Sequence, residues 1–169
     1  MTFFENNGVA TTTEAGIVHV PAGEGPARWF GADLYTVKLR AEQTDGAIGF
    51  VEASVPPGGG SLAHTHDRQT ETFYLVSGEL TFLSGERTFV GRAGDLVFVP
   101  PRSRHSFHNH GLRTAQLLFF YTPAGGAEEV FVEHGDQAEP GEFQQPWGPE
   151  RFTADVMAAF TRSGTTFLP

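Results

Sequence analysis

Residues 58–78 read GGGSLAHTHDRQTETFYLVSG, and residues 94–109 read GDLVFVPPRSRHSFHN. The first stretch holds His64, His66 and Glu71, and the second holds His105. Three imidazoles and one carboxylate are a common donor set for a divalent first-row transition metal. His64 and His66 are two apart, so on a strand both side chains point to one face. Glu71 follows a polar stretch, DRQT, that can bend, and it opens the β-prone run ETFYLV. Together these features predict a metal site inside a β-barrel.

The alternation of side chains agrees. If His64 and His66 point inward, so does Leu62; Phe73 and Leu75 share a face with Glu71, and Phe107 and Asn109 share one with His105. Donors placed among apolar residues are how a desolvated site is lined. Phe73 and Phe107 are therefore candidate substrate-binding residues.

Outward from this centre the chain reads as short strands. Residues 33–40 (DLYTVKLR) put Tyr35, Val37 and Leu39 on one face, and 47–55 (AIGFVEASV) follow after the Asp45-Gly46 turn. Further runs fall at 17–20, 62–66, 71–76, 79–83, 86–90, 95–99, 104–108 and 115–122. Turn signals recur every 8–12 residues, the pattern of an all-β sandwich or barrel. Residues 21–27 read as a loop. The 116–121 run is apolar on both faces and needs a cover. After a Gly/Pro/Gln-rich link at 135–148, Pro149, Glu150 and the spacing of Phe152, Val156 and Phe160 predict a helix over 150–162, stopped by Ser163-Gly164.

Composition sets bounds. The chain has 169 residues, suited to one domain, and its 21 Gly and 11 Pro favour many short strands. It has no cysteine, which removes disulfides and thiolate ligands and fits a reducing cytoplasm. Lys+Arg of 11 against Asp+Glu of 20 gives a net charge of −9, so nucleic acid is not an expected partner. Lys38 is the sole lysine and the single candidate for Schiff-base chemistry. The opening MTFFENNG lacks the regions of a signal peptide, and no apolar run has the length to span a bilayer.

The two stretches resemble the motifs of the cupin family. Gly58, His64, His66, Glu71 and Gly78 meet every position of the first motif (58–78). Gly94, Pro100, His105 and Asn109 match the second (94–109), with Arg102 where a glycine is usual. The resemblance implies an all-β, double-stranded β-helix or jelly-roll barrel with a C-terminal α-helix. One cupin domain would span 1–169: an arm at 1–16 with Phe3 and Phe4 docked on the body or a second subunit, a barrel core at 33–122, and the helix within 149–163. It also implies one divalent metal, Fe(II), Mn(II), Ni(II), Co(II), Cu(II) or Zn(II), held by His64, His66, Glu71 and His105. Pairing as a homodimer is the family habit.

The stretch 42–60 (EQTDGAIGFVEASVPPGGG) followed by 64–78 resembles quercetinase-type flavonol dioxygenases. That likeness implies a small enolisable aromatic, flavonoid or polyketide-like substrate, dioxygen as co-substrate, and Glu71 as catalytic base as well as ligand. Two alternatives stand beside it: an oxygen-independent metal-assisted cyclase, isomerase or decarboxylase, and a non-catalytic small-molecule-binding cupin. Tyr35, Tyr74 and Tyr121 are candidate substrate contacts by type. Glu52 alternates with Phe50 and Ser54. It reads either as an inward carboxylate hydrogen-bonded to a ligand histidine, with Phe50 beside it at the substrate, or as a solvated edge residue. Arg102 and Arg104 read as surface residues or as contacts for an anionic group. His108 and His110 fall outside the ligand face, and His19 and His134 read as surface residues. The Gly58–Ala63 match to a dinucleotide loop lacks its helix, since His-x-His on a strand follows it.

Overall fold

The computed structural model describes residues 11–12 and 16–168. The expected docking of Phe3 and Phe4 lies outside the described residues. In chain order the strands are β1 (Thr11–Thr12), β2 (Val18–His19), β3 (Ala27–Phe30), β4 (Asp33–Leu39), β5 (Gly49–Val55), β6 (His64–His66) and β7 (Thr70–Ser77). Next come β8 (Glu79–Ser84), β9 (Arg87–Arg92), β10 (Leu96–Val99), β11 (His105–His108) and β12 (Ala115–Thr122). Helix α1 (Ala127–His134), β13 (Asp136–Gln137), helix α2 (Ala154–Arg162) and β14 (Thr165–Phe167) complete the series.

Two antiparallel sheets form the barrel. The larger runs β10-β7-β12-β5-β4-β3-β13 and the smaller β14-β6-β11-β8-β9. Alternate residues of the larger sheet face the interior: Tyr35, Val37, Val51, Ala53, Phe73, Leu75, Leu117 and Phe119 are buried. Leu80, Phe82 and Phe107 meet them from the smaller sheet. Period-2 patterning therefore builds the core, as expected for an all-β barrel.

On β5 the burial pattern alternates strictly, with Val51, Ala53 and Val55 buried and Phe50, Glu52 and Ser54 on the other face. Phe50 stacks on Phe120 outside the barrel, centroids 6.0 Å apart. The expectation that Phe50 and Glu52 reach the substrate is thus corrected. Both parities of AIGFVEASV carry apolar residues, and the smaller aliphatic set is the one that fits the crowded interior. On β4 a bulge between Val37 and Leu39 breaks the alternation. Lys38 is consequently covered by the 21–24 loop, where its Nζ donates to the carbonyls of Pro21 (2.9 Å) and Glu24 (2.6 Å).

The C-terminal helix is shorter than its sequence pattern. Pro149–Arg151 forms a separate 3-10 turn, and α2 starts after Thr153, whose Oγ1 accepts the Val156 N–H at 3.4 Å. Val156, Ala159 and Phe160 are its buried residues. They pack inward, with Phe160 edge-on to Phe30, Phe131 and Phe167. The helix therefore lines the cavity and leaves the outer face of β12 uncovered. Elements that had not been anticipated include α1, β3 (Trp29 and Phe30 follow what read as a loop), and β14, which pairs with β6.

Candidate metal centre and its cavity

Strands β6, β7 and β11 bring four donors together. His64 and His66 share the inner face of β6, Glu71 is the second residue of β7, and His105 opens β11, directly paired with His64. All four are buried, and one donor atom from each lies within 4.8 Å of the others. Glu71 Oε2 is 2.8 Å from His105 Nε2, 2.9 Å from His66 Nε2 and 3.7 Å from His64 Nε2.

The far side of each ring decides what these contacts mean. His64 Nδ1 lies 2.7 Å from the Leu62 carbonyl, and His105 Nδ1 lies 2.8 Å from the Ser103 carbonyl. A carbonyl only accepts, so both Nδ1 atoms carry hydrogen and donate. A neutral ring then presents a bare lone pair at Nε2, here aimed at a carboxylate. His66 Nδ1 lies 3.0 Å from the Thr165 hydroxyl, which can accept in the same sense. Thr165 in turn can donate to Ser163 Oγ at 3.4 Å, and Ser163 Oγ donates to the Phe160 carbonyl at 2.8 Å.

Lone pairs and a carboxylate facing one another need positive charge between them, from protons or from a cation. The spacing suits a cation. Donors ~2.1 Å from one ion stand about 3 Å apart when adjacent, close to the separations found here. The residues present therefore fit a divalent metal.

Electrostatics follow from this packing. Burial pushes the Glu71 carboxyl up, but contacts with His105, His64 and His66 outweigh it and hold the group well below the usual carboxylate range. Burial lowers His64. At His105 burial also acts downward, and the Glu71 contact reverses it to a net rise.

The donors open into a cavity of about 250 Å³. Its walls are largely aromatic, including Tyr35, Phe107, Phe119, Tyr121, Phe131 and Trp147. Tyr35 and Phe107 both stand on this wall. Phe73 does not line the cavity; it lies behind His105, ring centroids 6.2 Å apart, and supports it. Leu62 sits at the mouth, 52% exposed. Tyr121 lines the cavity directly opposite Glu71 on the neighbouring strand, while Tyr74 points outward, 41% exposed. Burial and the Glu71 charge push the Tyr121 phenol well up, so it stays a neutral donor.

Neither arginine of the second motif lines the cavity. Arg104 donates to the Gly85 carbonyl at 2.8 Å. Arg102 takes φ +64°, the left-handed conformation in which a glycine is usual, and its N–H donates to the His66 carbonyl at 2.7 Å. The substitution of Arg102 for glycine therefore leaves the turn's geometry in place. The His108 and His110 rings meet each other at a tilt, centroids 4.4 Å apart, and neither belongs to the donor group. His19 is exposed and His134 is partly buried, and neither joins the donor group. Lys38 is also absent from the cavity wall.

The two-sheet barrel thus carries three histidines and a glutamate on its inner face. The family pattern described as "Cupin domain" matches residues 51–121. "Polyketide synthase CurC" of Streptomyces cyaneus is 33% identical over 118 residues, covering 68% of this chain and 73% of that protein. The chain belongs to the cupin family. It is also similar to quercetin 2,3-dioxygenase of Bacillus subtilis, 30% identical over 86 residues. That match covers 51% of this chain and about a quarter (26%) of the Bacillus protein's length. A solved structure of a predicted oxalate decarboxylase from Thermotoga maritima superposes with a TM-score of 0.56 at 22% identity, covering 68% of this chain and 98% of that one. This likeness shows the fold. Among the described residues, no helix is long and apolar enough to cross a membrane.

Proposed function

We propose that the protein is a divalent-metal enzyme acting on a small hydroxylated or enolisable aromatic compound, with quercetinase-like dioxygenation as the leading reaction. The observation that carries this reading is the convergence of three imidazole lone pairs on one buried carboxylate, at the spacing of a coordination shell, inside an aromatic-walled cavity. The Bacillus relative's name supports the reaction type.

His64, His66, Glu71 and His105 would hold the metal. When bound, it supplies a Lewis-acid centre that orients and polarises a substrate oxygen. The chain's own residues do the rest. Phe107, Phe119 and Tyr121 present flat apolar surface that accepts an aromatic ring and excludes water. Leu62 and Ser103 fix the His64 and His105 tautomers through their carbonyls, and Thr165 does so for His66 through its hydroxyl. Glu71 is proposed as both ligand and proton acceptor. Its imidazole contacts depress its basicity, so this second role needs the bound substrate to displace one of them.

Oxygen-independent cyclisation, isomerisation or decarboxylation is the second reading, favoured by the Streptomyces relative, which is matched over most of its length. Metal analysis of protein purified without chelator tests the shared premise; a chain that stays metal-free while folded and active overturns it. Oxygen uptake with quercetin supports the first reading, and product formed under strict anaerobiosis moves the assignment to the second. Tight retention of a small molecule without turnover across the six candidate metals would make the protein a binder. Glu71→Gln is expected to keep much of the metal and to lose activity by ~100-fold or more; full activity would remove Glu71 as the base.

A further inference from the structure

Asp33 is a buried carboxylate that the metal centre does not use. It opens β4 with 1% of its surface exposed, and Tyr35, two residues on, donates its phenolic hydrogen to Asp33 Oδ2 at 2.9 Å. Asp33 Oδ1 has no hydrogen-bond partner of good geometry, although the Gly60 amide lies close enough to favour its charged form. No cation is among the groups that act on it. Its place is made by the glycine run. A Cβ on Gly59 would fall 2.3 Å from Oδ1, so a side chain there would evict the carboxylate. Gly58 and Gly60, either side, line the cavity, and so does Tyr35. The Tyr35 ring is clamped, stacked on Phe131 at 4.4 Å and edge-on to Phe119 at 5.8 Å. Phe119 meets Tyr121 at 5.7 Å, and Tyr121 meets His66 at 5.2 Å. A continuous aromatic wall thus runs from the donor cluster to the Asp33–Tyr35 pair.

We propose that Asp33 and Tyr35 form a proton relay that deprotonates a hydroxyl of the bound aromatic compound. The inference rests on the reading of the cavity as a site for a hydroxylated aromatic. In the step, the substrate O–H bond breaks and its proton goes to Tyr35 Oη. The phenolic proton of Tyr35 passes at the same time to Asp33 Oδ2. The products are a substrate oxyanion, a neutral tyrosine and a neutral Asp33, with no change in total charge.

The surroundings suit each partner to its part. Burial raises Asp33 from the ordinary carboxylate value to about 7, against the opposing pull of the Tyr35 hydrogen bond. A base near neutrality is the efficient one. Burial, then the charge of Asp33, push the Tyr35 phenol well up, so it hands a proton on without resting as a phenolate. The titratable groups facing the pair are few. Glu71 is felt electrostatically at Tyr35, and His108 packs against Gly60. An unpaired buried carboxylate is unfavourable in a fold and recurs where chemistry needs it. Tyr35 would be the catalytic residue, and Asp33, acting through it, the positioning and proton-accepting residue.

The test uses the zinc-loaded protein and 4-nitrophenol, whose ionised form is coloured. Near neutral pH, where Asp33 is partly ionised, the probe bound to the wild type should take its coloured form by passing its proton to Asp33, with less than one proton released to the buffer. Asp33→Asn keeps the shape but cannot take the proton; Tyr35→Phe keeps the stacked ring but breaks the relay. In both variants the coloured form should appear only with about one proton released per bound probe, read from the dependence of the binding enthalpy on the buffer, at unchanged zinc content. A wild type that leaves the probe protonated, or Asp33→Asn and Tyr35→Phe proteins that ionise it as the wild type does, overturns the relay. If the wild type binds no zinc, the metal assignment fails separately, and the same titration still reads the relay.

Discussion

Residue 102 adopts φ +64° with an arginine side chain. An L-residue there brings its Cβ against the backbone, which costs ~1 kcal/mol where glycine would not. The turn keeps that shape because its backbone has work on both sides: the Arg102 N–H reaches the His66 carbonyl, and the Ser103 carbonyl holds the His105 ring. Arg102→Gly should therefore raise the denaturant midpoint by an amount worth about 1 kcal/mol, with metal affinity unchanged. A loss of stability would mean that the arginine side chain contributes more than its backbone strain removes.

Asp33 predicts a pH dependence. Its folded-state value, about 7, lies above its unfolded one. Between the two, the folded chain keeps a proton that the unfolded chain has released, so this group's contribution to stability falls as pH rises through that window and levels off above it. The loss is on the order of 4 kcal/mol. Asp33→Asn should accordingly raise the melting temperature more at about pH 8 than at about pH 4. An equal shift at both would show that Asp33 titrates normally. No pattern in the sequence marks this residue. A single aspartate at a strand start looks like a turn residue, and only the cavity left by Gly59 and the Tyr35 hydroxyl reveal it as buried.

Strand β14 shows what an element adds to a site made mostly elsewhere. It pairs Thr165 with His66 and Phe167 with His64, and sets the Thr165 hydroxyl on His66 Nδ1. Thr165→Val keeps the β-branched shape and removes that partner. Metal affinity, measured by competition with a chelating dye, should fall by ~10-fold or more, with the fold intact by circular dichroism. Unchanged affinity would reduce β14 to a cover.

The four donors were legible in the sequence because strand parity and fixed spacing constrain them together. β14 was not, being three residues after a glycine, too short for any period to show. Helix α1 was hidden for a related reason: its eight residues hold two adjacent glutamates, one of which, Glu128, is wholly buried with Oε1 accepting the Ala41 N–H at 2.9 Å. Tertiary packing, more than local pattern, fixes both elements. Phe50 and Glu52 illustrate the opposite failure, in which parity was read correctly but the wrong parity was assigned to the interior.

Across the whole molecule, one face stands out. Leu96 and Phe98 on edge strand β10 are 62% and 58% exposed, and Tyr74 and Val76 on neighbouring β7 are 41% and 50% exposed. Phe120 and Phe50 extend the same apolar surface across β12 and β5. An uncovered sheet face ending in an apolar edge strand is a surface for association. We propose that two copies pair through it. Light scattering should return a dimer, and Leu96→Glu combined with Phe98→Glu should return a monomer with the metal site intact. A monomeric wild type overturns the proposal.

How association is measured depends on Lys38. It is the only lysine in 169 residues, and two backbone carbonyls hold its ammonium group beneath the 21–24 loop. Amine-reactive reagents therefore find little on this surface beyond an α-amine. A lysine-directed cross-linker would report separate chains whatever their true state, and amine coupling to a sensor would capture almost none of them. The 20 carboxylate side chains are the practical handle for labelling.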